Sequence, residues 1–530
     1  MAFSIISVDT HRTYNGKIAN YHEDVYVLGG VAITSSQENG IYARANNEIG
    51  IDGTVVAAKN AIYLAHPSGT YALRFGAEAI VRGDSGVDGL SRFLTLQNAG
   101  EIWGAEHGVD VRSVSAKVSN EGSIHGETGV RIASSFLSFW NGGTIDGTST
   151  GLSVSGNNVT VINDGAISGL QAVLFNGLVA NFEARFINNG TVSGTRQFGP
   201  NAPVDADTAT VVGTGHASMV NRGIVDGNVL FSEFGNTLKN LGGSISGNID
   251  MGLGDDTVIN RGDIDGNVVL GGGTNSFVNR GGTVSGVVVG GNSSDFYQID
   301  SDGIVIQEAL NAKGIDVLVS TVSIQMANGI EILSLGGARD IDGTGTVHND
   351  MIGGNEGDNV LKGRAGGDRL NGLEGDDILR GNRGADIMDG GDDDDILIGG
   401  RGVDTMTGGL GDDILIGGNG RDFLRGDTVA EGGGADVFVY RGVKDSTVLE
   451  YDVIRDFEVG QDKIDLGRLT GNPIEMSTTD SFVPYGYPSF FIRTVGGDNR
   501  VLIDVNGDAS ADMRIDVAGV TDLGETDFLF

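Results

Sequence analysis

The chain has 530 residues, 90 of them glycine, 6 proline and none cysteine, and its formal net charge is −37. So large an acidic excess excludes nucleic acid as a partner, because phosphate is met with Lys and Arg, and it argues equally against anionic membrane surfaces. An apolar content of 39% suffices to bury a core, so the acidity does not mark a disordered chain, and no run approaches the roughly 18 apolar residues that would span or insert into a bilayer.

The opening MAFSIISVDTHRTYNG has neither the basic start nor the long apolar stretch of a cleaved export leader. Residues 1–45 include VYVLGGVAITSS and GIYARA, which read as an imperfect coil capping the open end of a solenoid. From 46 to 294 a repeat close to NxGxIxGxxxGVxV appears, as in NAGEIWG, NEGSIHG, NGGTIDG and NDGAISG. Its asparagines, Asn98, Asn120, Asn141, Asn163, Asn188, Asn221, Asn240, Asn260 and Asn279, are mostly 19–22 residues apart, the length of one parallel β-helix coil. The pattern predicts an Asn ladder running coil to coil. It also predicts an inward stack of Ile102, Ile124, Ile145, Ile167, Val192, Val225, Ile245, Ile264 and Val284. Gly100, Gly122, Gly165 and Gly190 stand where the turn is expected to need a left-handed residue. Longer spacings after Asn163 and Asn188 place protruding loops such as residues 196–207.

Such a helix can carry polysaccharide lyases, hydrolases or epimerases. The outward positions here are Trp103, His125, Asp146, Ser168, Ser193, Asp226, Ser246, Asp265 and Ser285. A carboxylate cluster with a base could be drawn from Asp146, His125 and Glu106, but an enzyme usually breaks its own repeat at the site, and this repeat is regular. Solvated turn positions are therefore the expectation, and no catalytic or organic-cofactor residue is assigned. The last coils, with GLGDDTV around Asp256, GGGTNSF around Asn275 and GGNSSDF around Asp295, begin to change pattern. They suggest one solenoid continuing into a second kind of coil.

From Gly345 to Gly426 the chain repeats every nine residues as GGxGxDxUx. The acidic position holds Asp350, Asn359, Asp368, Asp377, Asp386, Asp395, Asp404, Asp413 and Asp422; the apolar position runs from Ile352 to Leu424. Glycine allows the turn, and the turn is expected to point each Asp outward beside backbone carbonyls. Two nonapeptides make a coil, so residues eighteen apart share an edge: Asp377, Asp395 and Asp413 on one, Asp368, Asp386, Asp404 and Asp422 on the other. Residues 342–436 hold 21 Asp and Glu against 8 Lys and Arg, a balance of −13. Calcium takes six to eight oxygens, carboxylate and carbonyl alike, so several Ca2+ ions between turns are the predicted cofactor. His348, Asn359 and Asp393 break the consensus and predict weaker neighbouring sites. After an insertion, DTVAE, Asp436 and Phe438 resume the pattern as a terminal coil. Near the end, Asp504, Asn506, Asp508 and Asp512 have the spacing of a calcium loop, although Ala509 and Ile515 replace the glycine and the last ligand of an EF-hand. A hairpin with an acidic tip explains that loop as well. FVPYGYPSFF, with Tyr485, Tyr487, Phe490 and Phe491, reads as a packed hairpin rather than a carbohydrate contact.

From about Asp295 the lead-in DFYQIDSDGIVIQEALNAKGIDVLVS, the nonapeptides, the trailer DVFVYRGVKDSTVLEYDVIRDFEVGQDKIDLGRL and the final TDFLF resemble the C-terminal region of serralysin-type repeats-in-toxin (RTX) proteins. That resemblance implies an uncleaved C-terminal signal read by a type I exporter, and a chain that folds once it meets extracellular calcium. The zinc motif HExxH is absent, the nearest string being His22-Glu23-Asp24, which excludes a zinc protease. A β-helix joined to RTX modules also resembles the secreted mannuronan epimerases in architecture, but their DPHE motif does not occur.

The expected fold is all-β: a cap (1–45), a parallel β-helix (46–294), a lead-in (295–344), a calcium β-roll (345–440) and a β-rich secretion region (441–530). The expected function is that of a secreted, non-catalytic surface, matrix or adhesive protein, partnered by calcium, the exporter, and either itself or surface polysaccharide. An extracellular polysaccharide-modifying enzyme is the alternative.

Overall fold

Alternation of apolar and polar residues between glycine turns sets the chain into short strands that pair in parallel with their counterparts one coil on. The computed structural model describes residues 2–6, 17–19, 23–36, 38–44, 46–176, 183–194, 209–309, 314–427, 433–469, 474–477, 479, 481–482 and 486–530. The loop at 196–207, His22, Tyr485 and most of the DTVAE insertion lie outside them. The described chain is a parallel β-solenoid, and its one helical element is the 3-10 turn Glu525–Asp527. No described helix is long and apolar enough to cross a membrane. Two units are distinguished: residues 1–293 with 303–307, and residues 294–302 with 308–530.

In the first unit the apolar column stacks as the repeat predicts. Ile102 lies opposite Ile124, Ile124 opposite Ile145, and the register continues through Ile167, Val192, Val225, Ile245 and Ile264 to Val284. All nine are buried, and each such side chain is worth about 1.5–3 kcal/mol when removed from water. Beside them runs the ladder. Asn98 Nδ2 donates to Asn120 Oδ1, and the same bond recurs through Asn141, Asn163, Asn188, Asn221, Asn240 and Asn260 to Asn279 at 2.7–3.0 Å. A primary amide carries donor and acceptor on one group, so it can accept from the coil before and donate to the coil after. The insertions after Asn163 and Asn188 do not interrupt the bonds.

The glycines of this repeat differ from expectation. Gly100, Gly122, Gly165 and Gly190 are not left-handed. A Cβ on Gly122 would collide with the Gly100 carbonyl oxygen, one on Gly165 with that of Gly143, and one on Gly190 with that of Gly165. Close approach of successive backbones, not an unusual φ, requires glycine there.

In the second unit two apolar columns face each other. One runs Ile352, Leu370, Met388, Met406, Leu424 and Ile454; the other runs Leu361, Leu379, Leu397, Leu415, Phe438, Ile464 and Phe528. The stack is closed by antiparallel strands Ser489–Val495, Asp498–Asp504 and Met513–Val517, the last pairing in parallel with Asp452–Ile454. Phe490 and Phe491 pack inside this hairpin, Phe490 with its ring 4.7 Å from that of Phe528, while Tyr487 is exposed.

Candidate metal centre

The nonapeptide turn takes positive φ at its second and fourth positions. Glycine fills most of these, but Arg364 (85°), Leu373 (92°), Asn382 (77°) and Asp393 (80°) hold the same conformation with a side chain attached. The turn directs the acidic side chain inward, not outward as the pattern suggested. Asp368, Asp377, Asp386, Asp395, Asp404, Asp413, Asp422 and Asp436 are each 0–1% exposed.

Along each edge the backbone N–H of one Asp donates to Oδ1 of the next. Asp350 donates to Asp368, Asp368 to Asp386, Asp386 to Asp404, Asp404 to Asp422, and Asp422 to Asp452 at 2.8–2.9 Å. On the other edge Asn359 donates to Asp377, then Asp377 to Asp395, Asp395 to Asp413, Asp413 to Asp436, and Asp436 to Asp462 at 2.6–3.0 Å. Asp436 is thus an interior rung and not the end of its column. Asp452 and Asp462 extend the edges across intervals of 30 and 26 residues, which a search at fixed spacing misses. Their signal is the triplet Asp-x-apolar, as in Asp452-Val453-Ile454 and Asp462-Lys463-Ile464.

The second carboxylate oxygen, Oδ2, has no protein partner at Asp368, Asp377, Asp386, Asp395, Asp404, Asp413, Asp422, Asp436 and Asp452. Burial pushes the carboxyls of Asp368, Asp377, Asp404, Asp413 and Asp422 up to about 7, and those of Asp395 and Asp436 to about 8. The N–H bond each accepts opposes that rise. At Asp377, Asp395, Asp404 and Asp413 the orphaned oxygen lies beside a glycine carbonyl of the next coil. A Cβ on Gly372 would collide with Asp377 Oδ2 and the Gly390 carbonyl; one on Gly390, with Asp395 Oδ2 and the Gly408 carbonyl; one on Gly408, with Asp413 Oδ2 and the Gly426 carbonyl. Buried carboxylate oxygens without an N–H or O–H donor, with backbone carbonyls of the next coil beside the same glycines, are the kind of oxygen donors a hard cation takes.

The columns begin later than the repeat does. Asp350 is satisfied within the protein, its carboxylate accepting the Thr346 N–H and hydroxyl, and Asn359 accepts from Asn355 N–H and donates to the Ile341 carbonyl. Asp256, in the first unit, has the column geometry in one copy: Oδ1 accepts the Asn236 N–H, Oδ2 is orphaned, and burial pushes its carboxyl to about 7. The loop at Asp504 is held by its own backbone. Asp504 accepts N–H bonds from Asn506, Gly507, Asp508 and Ala509, and Asp512 accepts from Val505 N–H and the Asn506 side chain.

On the first unit the outward positions form a surface stack. The Trp103 and His125 rings lie 4.1 Å apart, Arg82 sits 5.5 Å over Trp103, and His125 Nδ1 is 3.7 Å from Asp146 Oδ2. These residues and Glu127 line a groove of about 550 Å³. Glu106, grouped with His125 and Asp146 on sequence grounds, is not among its lining residues.

A family profile described as the serralysin C terminal of peptidase M10 matches residues 228–530. No curated protein matches the chain. Solved structures similar to it include the AlgE6R3 subunit of the Azotobacter vinelandii mannuronan C5-epimerase, 25% identical over 28% of this chain and 80% of that one, with a TM-score of 0.23. The AlgE6R2 subunit is 20% identical over 37% of this chain and 94% of that one, with a TM-score of 0.18.

Proposed function

Because the chain belongs to the serralysin C-terminal family of peptidase M10, we propose that it is a secreted β-solenoid whose second unit folds around several calcium ions and which acts, without catalysis, as a surface, matrix or adhesive protein. The observation that carries the calcium reading is the row of buried Asp Oδ2 atoms without protein partners, from Asp368 to Asp452. Unpaired buried carboxylates cost several kcal/mol each, and a cation shared along the edge removes that penalty. Asp368, Asp386, Asp404, Asp422 and Asp452 would hold ions on one edge, and Asp377, Asp395, Asp413 and Asp436 on the other, together with glycine carbonyls. The ion supplies folding energy and neutralises the column. Residues 441–530 carry the export signal for a type I exporter, as the family's occurrence in secreted proteins supports, and the low calcium of the cytosol keeps the second unit from folding before export. The regular outer face of the first unit is the contact surface, toward another copy or surface polysaccharide. Equilibrium dialysis tests the calcium reading. The chain should bind several ions at millimolar free calcium, and no uptake there would refute it.

One feature supports a second reading, a polysaccharide-modifying site: the groove where Arg82, His125, Glu127 and Asp146 converge beside Trp103. Incubation with surface polysaccharides and assay for new reducing or unsaturated ends, or for altered sugar configuration, separates the two. Product formation that is lost in Asp146→Asn would favour the enzyme.

A further inference from the structure

A second arrangement of buried acids lies outside the nonapeptides. Asp295, Glu308 and Asp316 each offer a carboxylate oxygen within 4.8 Å of the other two, and all three are buried. Asp295 and Asp316 open the triplets Asp295-Phe296-Tyr297 and Asp316-Val317-Leu318, whose strands pair with Tyr297 opposite Leu318. Asp295 N–H donates to Asp316 Oδ1 at 2.7 Å, and Asp316 N–H donates to Glu331 Oε2 at 2.8 Å. Glu308 Oε1 accepts the hydroxyl of the fully buried Tyr297, and its Oε2 accepts the Ala309 N–H at 3.3 Å. Asp316, 0% exposed, leaves Oδ2 without a protein partner. The charges that act most strongly on Glu308 and Asp316 are other carboxylates.

Three acids this close cannot all be ionised in a dry site unless a cation joins them. We infer that Asp295, Glu308 and Asp316 form a calcium site of their own, built from three side chains and independent of the nonapeptide columns. The donor chemistry indicates the ion: three buried carboxylate oxygens make an all-oxygen, high-charge set of the kind a hard cation takes, and calcium accepts such a set without demanding a strict octahedron. The Tyr297 hydroxyl fixes the Glu308 carboxylate through Oε1, and a carboxylate oxygen has a second lone pair with which to bond a metal as well. Three carboxylates on one ion give a high ligand charge, so this site fills at lower free calcium than the columns. The site joins the strands Phe296–Ile299 and Val317–Ser320 before the repeats close.

The test counts bound calcium on the full chain at pH 7.5 by equilibrium dialysis as free calcium is stepped from micromolar to millimolar. The native chain should take up one ion ahead of the rest. Glu308→Gln and Asp316→Asn, near-isosteric changes, should each lose that early ion and keep the later ones. Asp395→Asn should keep the early ion and lose later ones. Unchanged early uptake in Glu308→Gln and Asp316→Asn would overturn the site and leave the three acids sharing protons. Unchanged late uptake in Asp395→Asn would overturn the column reading while leaving this site standing. A second measurement guards against misfolding of the acid variants. With terbium in place of calcium and excitation in the tyrosine band, Tyr297→Phe should lose the emission that saturates first; retention of that emission would place the early ion elsewhere.

Discussion

Leu373 holds φ at 92° with its side chain half out in solvent, in a turn whose counterpart one coil on is Gly391. A bulky residue in that region carries about 1–2 kcal/mol of strain that glycine does not, offset in part by glycine's greater freedom when unfolded. Leu373→Gly should therefore raise the stability of the calcium-loaded second unit by up to about 1 kcal/mol, read from chemical denaturation in calcium. In the first unit the weight falls on the amides. Asn141→Ala removes the donor to Asn163 Oδ1, while Asn120 Nδ2 keeps the Gly122 and Thr144 carbonyls, leaving one buried acceptor unmatched at about 1–3 kcal/mol. The calcium-independent unfolding transition should move down accordingly. The Asn and Asp positions were legible because each recurs beside an apolar residue at fixed offset. The burial of the Asp side chains was not, because a nine-residue period says which residues share an edge and nothing about which way a carboxylate turns. The glycines misled for a related reason: glycine answers both to positive φ and to close backbone approach, and only coordinates tell Gly122 from Gly391.

At the scale of one edge, the carboxylates titrate as a column. Folded Asp377, Asp404 and Asp413 lie near 7 against an ordinary value of 3.8. The metal-free fold therefore binds more protons than the unfolded chain between about pH 4 and 8, so its stability falls as pH rises through that window. In chelator the second unit should melt higher at pH 5 than at pH 8. In calcium the protons are displaced, so the calcium concentration at half-folding should drop as pH rises from 6 to 8. Stability rising with pH in chelator would contradict the burial. The ladder also settles where each rung stands. Asp395 sits between Asp377 and Asp413, and Asp436 between Asp413 and Asp462. Asp395→Ala and Asp436→Ala should raise the calcium midpoint by similar amounts, and excess calcium should restore both because the glycine carbonyls remain. The sequence alone places Asp436 in a terminal coil, because the insertions before Asp436, Asp452 and Asp462 hide the column from a fixed spacing while leaving the Asp-x-apolar triplet intact.

At the scale of the molecule, two solenoid units draw on different chemistry. From Asn98 to Asn279 the described coils are held by an apolar stack and a ladder of neutral amides whose every rung is matched. Residues 368–462 are held by a stack of the same kind flanked by carboxylates that the protein leaves unmatched. The amides of the first repeat match one another, with the Asp256 carboxylate as an exception, whereas the second leaves a row of buried carboxylate oxygens that the proposed calcium ions would meet, a difference readable in the net charge of 342–436 before any coordinates. The central claim is that calcium completes the second unit alone. Hydrogen exchange followed by mass spectrometry, on the full chain in millimolar calcium and again in excess chelator, tests it directly. Peptides from 46–290 should stay protected in both conditions, while those from 368–465 should be protected in calcium and exchange within seconds in chelator. Protection of 368–465 that survives chelation would contradict the account.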